Sequence, residues 1–192
     1  MKLLNFALVV ATLSTAATPA IAQVNDPAND FIQAVKDRDN DKALQVLNSH
    51  SSGIVNIRDS EGNTPLIITI ARRDAEWTAY LLNKGADPNL AGKAGDTPLI
   101  VASRMGFGDA VGWLLGLGAR VDATNRMGET ALIAAVQQRQ TPIVRLLLAA
   151  GADPDKSDAA AGYSARQYAE RDNRARDILQ MINNTKPKPA AH

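Results

Sequence analysis

Gly62-Asn63-Thr64-Pro65-Leu66 returns as Gly95-Asp96-Thr97-Pro98-Leu99 and again as Gly128-Glu129-Thr130-Ala131-Leu132, each 33 residues after the last. A second word keeps the same interval: Gly85-Ala86-Asp87-Pro88-Asn89, Gly118-Ala119-Arg120-Val121-Asp122 and Gly151-Ala152-Asp153-Pro154-Asp155. Between the two lie the pairs Leu81-Leu82, Leu114-Leu115 and Leu147-Leu148. Self-similarity at one fixed period marks a stack of like units. Each word has a mechanical reason. Thr followed by Pro starts a helix, because the hydroxyl accepts an otherwise orphaned N–H and Pro lacks the donor that would be orphaned. The Gly before it supplies a tight turn, apolar residues four apart give the helix an inner face, and the Leu pair marks a second helix. Gly85, Gly118 and Gly151 suit its left-handed end. The unit reads as helix, turn, helix, hairpin.

With its 33-residue period, Gly-x-Thr-Pro-Leu and Gly-Ala-Asp-x-Asn, the chain resembles the ankyrin-repeat family. The resemblance covers residues 58–90, 91–123 and 124–156. It implies an all-α solenoid of stacked helix-turn-helix units joined by β-hairpin-like loops. The His that often follows Thr-Pro-Leu in that family is replaced by Ile67, Ile100 and Ile133, so apolar stacking is expected where the family uses His hydrogen bonds.

Both flanks read as caps, since a solenoid exposes apolar ends unless its terminal units are modified. Residues 23–57 form an N-terminal capping unit with two amphipathic helices, Asp30 to Val35 and Asp41 to Leu47. Residues 157–185 form a C-terminal one, in which Arg166 stands where the repeats carry Leu and Arg174 to Ile182 closes the stack. A tail over 186–192, Lys-Pro-Lys-Pro-Ala-Ala-His, has nothing to bury and is expected to be flexible. Residues 1–22 read as a cleaved signal peptide, with Lys2, an apolar run from Leu3 to Ala11 and Ala20-Ile21-Ala22 at the cut. The run is shorter than the ~20 residues of a spanning helix, so no membrane anchorage is expected after cleavage. The implied destination is the periplasm, with secretion the alternative.

Composition removes several kinds of chemistry. The chain has no Cys and two His, His50 and the terminal His192. That excludes disulfides, thiolate metal sites and thiol nucleophiles, and leaves little for an imidazole base or a metal. Lys2 is the one basic residue in the leader, so the chain beyond it carries 20 residues of each sign. Zero net charge gives no general attraction to nucleic acid or anionic lipid.

Local candidates for chemistry each have a plainer explanation. Gly106-Phe107-Gly108-Asp109-Ala110-Val111-Gly112 has the wrong glycine spacing for a dinucleotide loop and no strand before it, so it reads as an inter-helix turn. Asp37, Asp39 and Asp41 alternate like calcium ligands, but Lys42 and Asn48 stand where such a loop needs Gly and Glu. Asp87 and Asp153 recur with the period and read as loop-shaping residues. His50 reads as a capping or exposed residue at a helix end, and Trp77 and Trp113 as core or semi-exposed packing on the stacked side of the second helices.

What remains is surface. Hairpin tips and the first-helix face are where ankyrin proteins meet partners, and the matching positions are Arg58, Ser60, Glu61, Asn63 and Arg72 in the first repeat. In the second they are Lys93, Asp96, Arg104 and Met105, and in the third Arg126, Met127, Glu129, Gln137 and Gln138. Arg72, Met105 and Gln138 are one period apart and should form a continuous concave stripe. The expected function is a monomeric, non-enzymatic module, without cofactor or metal, that binds another protein in its own compartment. An accessory or immunity factor for one exported enzyme is a variant of that reading. An enzyme with an unrecognised carboxylate site is the competing one, for which no nucleophile, base and orienter can be named.

Overall fold

The computed structural model describes residues 26–50 and 52–185; the expected leader and tail lie outside them. Among these residues ten helices form five pairs: α1 (Pro27–Asp37) with α2 (Asn40–Ser49), α3 (Pro65–Ala71) with α4 (Ala75–Asn83), α5 (Pro98–Arg104) with α6 (Gly108–Gly116), α7 (Ala131–Gln137) with α8 (Thr141–Ala149), and α9 (Ala165–Arg171) with α10 (Arg176–Asn184). The first helices pack on one another in the order α1, α3, α5, α7, α9, and α4, α6, α8 and α10 form a second layer behind them. Among the described residues the hairpins contain no strand, only the isolated bridges Thr124 to Thr130 and Ser157 to Ser164.

The repeating words do what their chemistry demands. Thr64, Thr97 and Thr130 cap α3, α5 and α7, each hydroxyl accepting the N–H of Ile67, Ile100 or Ile133 at 3.2 Å. Those three Ile are buried, so apolar packing does fill the place of the missing His. Gly85, Gly118 and Gly151 have φ of +88°, +82° and +83°. At each, two N–H groups turn back on the helix: Gly85 N bonds Leu82 O and Ala86 N bonds Leu81 O, and the later repeats do the same. This is the Schellman ending that glycine permits.

Side chains then tie unit to unit. Asn56 Oδ1 accepts Asp87 N, Asn89 Oδ1 accepts Arg120 N and Asp122 Oδ1 accepts Asp153 N, all at 2.8 Å. The same position thus carries the same bond across successive junctions. Within the loops Asp87 and Asp153 accept the N–H two residues on, which is the loop-shaping role expected of them. At the fourth place in the ladder Asp155 meets Arg166, whose Nε and Nη2 lie 2.7 and 3.0 Å from its carboxylate while Nη1 reaches Asn183. Arg166 therefore closes the ladder with a charge where an inner unit would present Leu to a following repeat. The Arg166 hydrogen bonds hold the Asp155 carboxyl below its ordinary range against the opposing effect of burial.

The remaining local expectations sort out the same way. Asp37 ends α1, Arg38 turns the chain at φ +60°, and Asp39 caps α2 through Lys42 N. His50 follows α2, its Nδ1 3.0 Å from Val46 O. Gly106 makes the α5–α6 turn at φ +69°. Trp77 is buried and donates its indole N–H to Asn40 Oδ1, joining α2 to α4. Trp113 departs from expectation: it is 36% exposed on the outer side of α6. The place equivalent to Trp77 is taken by the buried Ala110, and Trp113 stands instead at the place of the partly buried Tyr80.

Candidate protein-binding surface

The hairpin tips are shaped by a carboxylate or amide at one repeating position. Asp59 Oδ1 accepts the N–H of Glu61 and Asn63, and Asn125 Oδ1 accepts those of Met127 and Glu129. Asp158 does the same for Ala161 and Gly162 while its Oδ2 accepts the Tyr168 hydroxyl at 2.6 Å. Gly92 occupies the equivalent place in the second hairpin, and there Asn63 Oδ1 reaches across from the preceding tip to accept Lys93 N at 3.2 Å. Successive tips also bond through the backbone, Arg126 N to Ala94 O at 3.0 Å and Ala159 N to Met127 O at 2.8 Å. The tips are therefore one continuous, hydrogen-bonded edge.

An ion network braces that edge from below. Arg104, the last residue of α5, places Nη1 2.8 Å from Asp96 Oδ2 and Nη2 2.7 Å from Glu129 Oε2. Asn125 Nδ2 donates to both carboxylates, at 2.8 and 3.0 Å. Burial works against the Asp96 charge, yet the hydrogen bonds of Arg104 and Asn125 and the Arg104 charge hold its carboxyl below the usual range. The Arg104 guanidinium is shifted upward, first by its bond to Asp96. Lys36 of α1 makes a similar contact with Asp59, 2.8 Å long, in the first tip.

Between the tips and the first helices runs an open groove of about 850 Å³. Of the residues expected to meet a partner, Glu61, Asn63, Arg72, Lys93, Asp96, Arg104 and Met105 line it. Arg126 and Met127 project from the third tip, with Met127 53% exposed, and Gln137 and Gln138 are exposed at the end of α7. These four continue the surface toward the C-terminal end and lie outside the groove. Four of these residues are already engaged within the protein. Glu129 is buried, 8% exposed, with its carboxylate taken by Arg104 and Asn125. Arg104 and Asp96 are likewise committed to each other, so they set the spacing of the tips. Arg58 is exposed but donates to Gly62 O and Ala91 O, joining one hairpin to the next. Ser60 is exposed at the first tip.

The groove also takes Gln33, Lys36 and Asp37 from α1, none of which was among the expected contact residues. The concave stripe begins one unit earlier than expected, running Asp37, Arg72, Met105, Gln138, and Arg72 Nη1 donates to Val35 O at 2.9 Å across that junction. A signal was present: Arg38-Asp39 and Arg73-Asp74 are the same turn-and-cap pair, both Arg residues having positive φ. They stand 35 residues apart, and the two extra residues between the units hid the match from a search at 33.

Comparison with known families agrees with this geometry. A family model described as ankyrin repeats (3 copies) matches residues 31–125, and the ankyrin repeat model matches 127–159. The chain belongs to the ankyrin-repeat family. The first match begins inside α1, so it takes in the unit that lacks the Thr-Pro-Leu word. No curated protein matches the sequence. Ankyrin repeats are in general protein–protein interaction modules and typically not enzymes. Among the described residues no cluster of three or more His, Asp or Glu is arranged to hold a metal, and no helix is long and apolar enough to cross a membrane.

Proposed function

We propose that this ankyrin protein is a non-enzymatic binding module, and that its concave surface holds one segment of a partner protein. The observation that carries this reading is the groove itself, lined from three successive units and edged by tips held in register by Arg104, Asp96, Glu129 and Asn125. A rigid edge loses little entropy on binding. The lining supplies four cations, Lys36, Arg72, Lys93 and Arg104, against the carboxylates of Asp37, Asp59, Glu61 and Asp96. A floor of balanced sign suits a mixed polar segment better than a polyanion. Met105, 39% exposed at the groove's C-terminal end, is the apolar anchor.

Changing Met105 and Arg126 together to Ala is expected to weaken partner binding by at least ~2 kcal/mol, a hot-spot effect, without moving the melting temperature. Trp113→Ser, on the second-helix face, should leave that binding unchanged. The test titrates the protein retained by immobilised residues 23–192 from the exported fraction against both variants by calorimetry. Unaltered affinity in the Met105/Arg126 variant would place the contact elsewhere.

The proposal includes export to the periplasm, supported by the leader pattern of residues 1–22. Intact-mass analysis of the protein from that compartment should give a chain beginning at Gln23; a chain beginning at Met1 would refute cleavage.

A further inference from the structure

The outer face of the second helices has an organisation that the concave reading leaves unused. Residues one period apart lie side by side on it: Tyr80, Trp113 and Leu146 form one row, and Met181 extends it by alignment of the helix starts Gln140 and Ala175. Trp113 and Leu146 are 36% and 39% exposed, and Leu117, one turn beyond Trp113, is 54% exposed. Beside this ridge Leu82, Gly112, Gly116 and their neighbours border an apolar depression of about 520 Å³. Among the described residues nothing lies within 4 Å of where a Cβ would stand on Gly112 or Gly116.

Along one edge of the ridge, at the helix starts, runs a row of carboxylates: Asp41, Glu76, Asp109 and, past Pro142, Asp177. Glu76 and Asp109 are exposed and make no ion pair within the described residues; Asp177 accepts the Thr141 hydroxyl. An acid in the first turn stabilises its own helix, which explains each carboxylate singly but not the apolar ridge beside it. Three cations share the face: Lys84 lies over the Tyr80 ring at the far ends of the helices, Arg145 stands on α8 next to Pro142, where the acidic row is interrupted, and Arg176 stands beside Asp177 at the start of α10.

We propose that this face docks an amphipathic helix of a partner protein, laid across the stack, with large apolar residues toward Trp113 and Leu117 and Lys or Arg along the flank nearest Glu76 and Asp109. The spacing fits. Packed helices stand about 8–10 Å apart, and seven residues of a helix advance about 10.5 Å, so one heptad of the partner spans one repeat. The charge pattern fixes the side: a basic flank meets carboxylates at the helix starts, whereas the reverse placement meets Lys84. A second copy of this chain, which has the same acidic row on this face, is the poorer match.

The probes are two fluorescein-labelled 21-residue helical peptides with the same Leu heptad face, one with Lys and one with Glu on the flank. Anisotropy titrations against the purified protein at 0.15 M salt should show the Lys peptide binding at least tenfold tighter. Trp113→Ser and, separately, the more exposed Leu117→Ser should each weaken it at least tenfold with circular dichroism unchanged. Glu76→Lys combined with Asp109→Lys should transfer the preference to the Glu peptide, and Met105→Ala with Arg126→Ala should have no effect. The proposal is overturned if both apolar variants bind like wild type, since the attraction is then charge alone, or if charge reversal leaves the preference standing. Self-association abolished by Trp113→Ser would make a second copy the occupant and overturn it too. So would tighter peptide binding after removal of residues 186–192, which would make the chain's own basic tail the occupant.

Discussion

Gly128→Ala is expected to cost the fold about 3 kcal/mol, while the same change at Gly62 costs about 1 kcal/mol, although the two glycines occupy the same place in their repeats. Both have positive φ, +74° and +87°, so both substitutions carry the penalty of an L residue in the left-handed region, roughly 1 kcal/mol or more. They differ in what the new methyl meets. At Gly62 none of the described residues comes within 4 Å. At Gly128 the Cβ would stand 2.6 Å from the backbone nitrogen of Ala159, whose N–H bonds Met127 O. Backbone cannot rotate aside like a side chain, so the next hairpin must move and that bond must stretch, an overpacking cost of about 1–3 kcal/mol. Gly95, with Arg126 N at 3.1 Å, should fall between them. Urea unfolding of the three Ala variants measures the series. Equal losses would mean that the hairpins do not stack as closely as described.

Arg104→Met is expected to destabilise the protein by about 2 kcal/mol at neutral pH and to reverse part of its pH dependence. Removing one partner of a fully buried ion pair costs about 3–5 kcal/mol; Arg104 is a third exposed, and solvent screening lowers the expectation. In the wild type the Asp96 carboxyl is held below its unfolded value. Its contribution is complete above the ordinary carboxylate range, about pH 4, and is lost as pH falls through the folded value. Without the guanidinium, Asp96 Oδ1 and Glu129 Oε2 remain on the same Asn125 amide with no cation between them. Like charges so placed push one carboxyl above its unfolded value. The variant should therefore gain stability as pH is lowered from 7 toward 5, where the Asp96 contribution in the wild type is flat. Urea midpoints across that range decide it; parallel curves for the two proteins would show that the carboxylates are not coupled.

The Thr caps, the glycine helix ends and the buried inner positions were legible because each depends on a few consecutive residues and recurs at one interval. Trp113 was misplaced because the side of a nine-residue helix left uncovered depends on its neighbours in the stack. Lys36 and Asp37 were missed for a different reason: two additional residues between the first units broke the register that made the other repeats visible. Among the tip residues, exposure followed from position, but commitment did not. Glu129 and Met127 stand two residues apart in one hairpin, yet one is buried against Arg104 and the other is open to solvent.

By itself the sequence determined the unit, its helix starts and stops, its period and the ankyrin solenoid these build, since all of them are set by backbone preferences and apolar spacing within about one repeat. Tertiary structure alone decided which tip charges neutralise one another, which identical glycines are crowded, how far the groove reaches toward α1 and which apolar side chains stay on the outer face. Those properties depend on distances between residues about 30 positions apart, and they are fixed only when one repeat has been laid against the next.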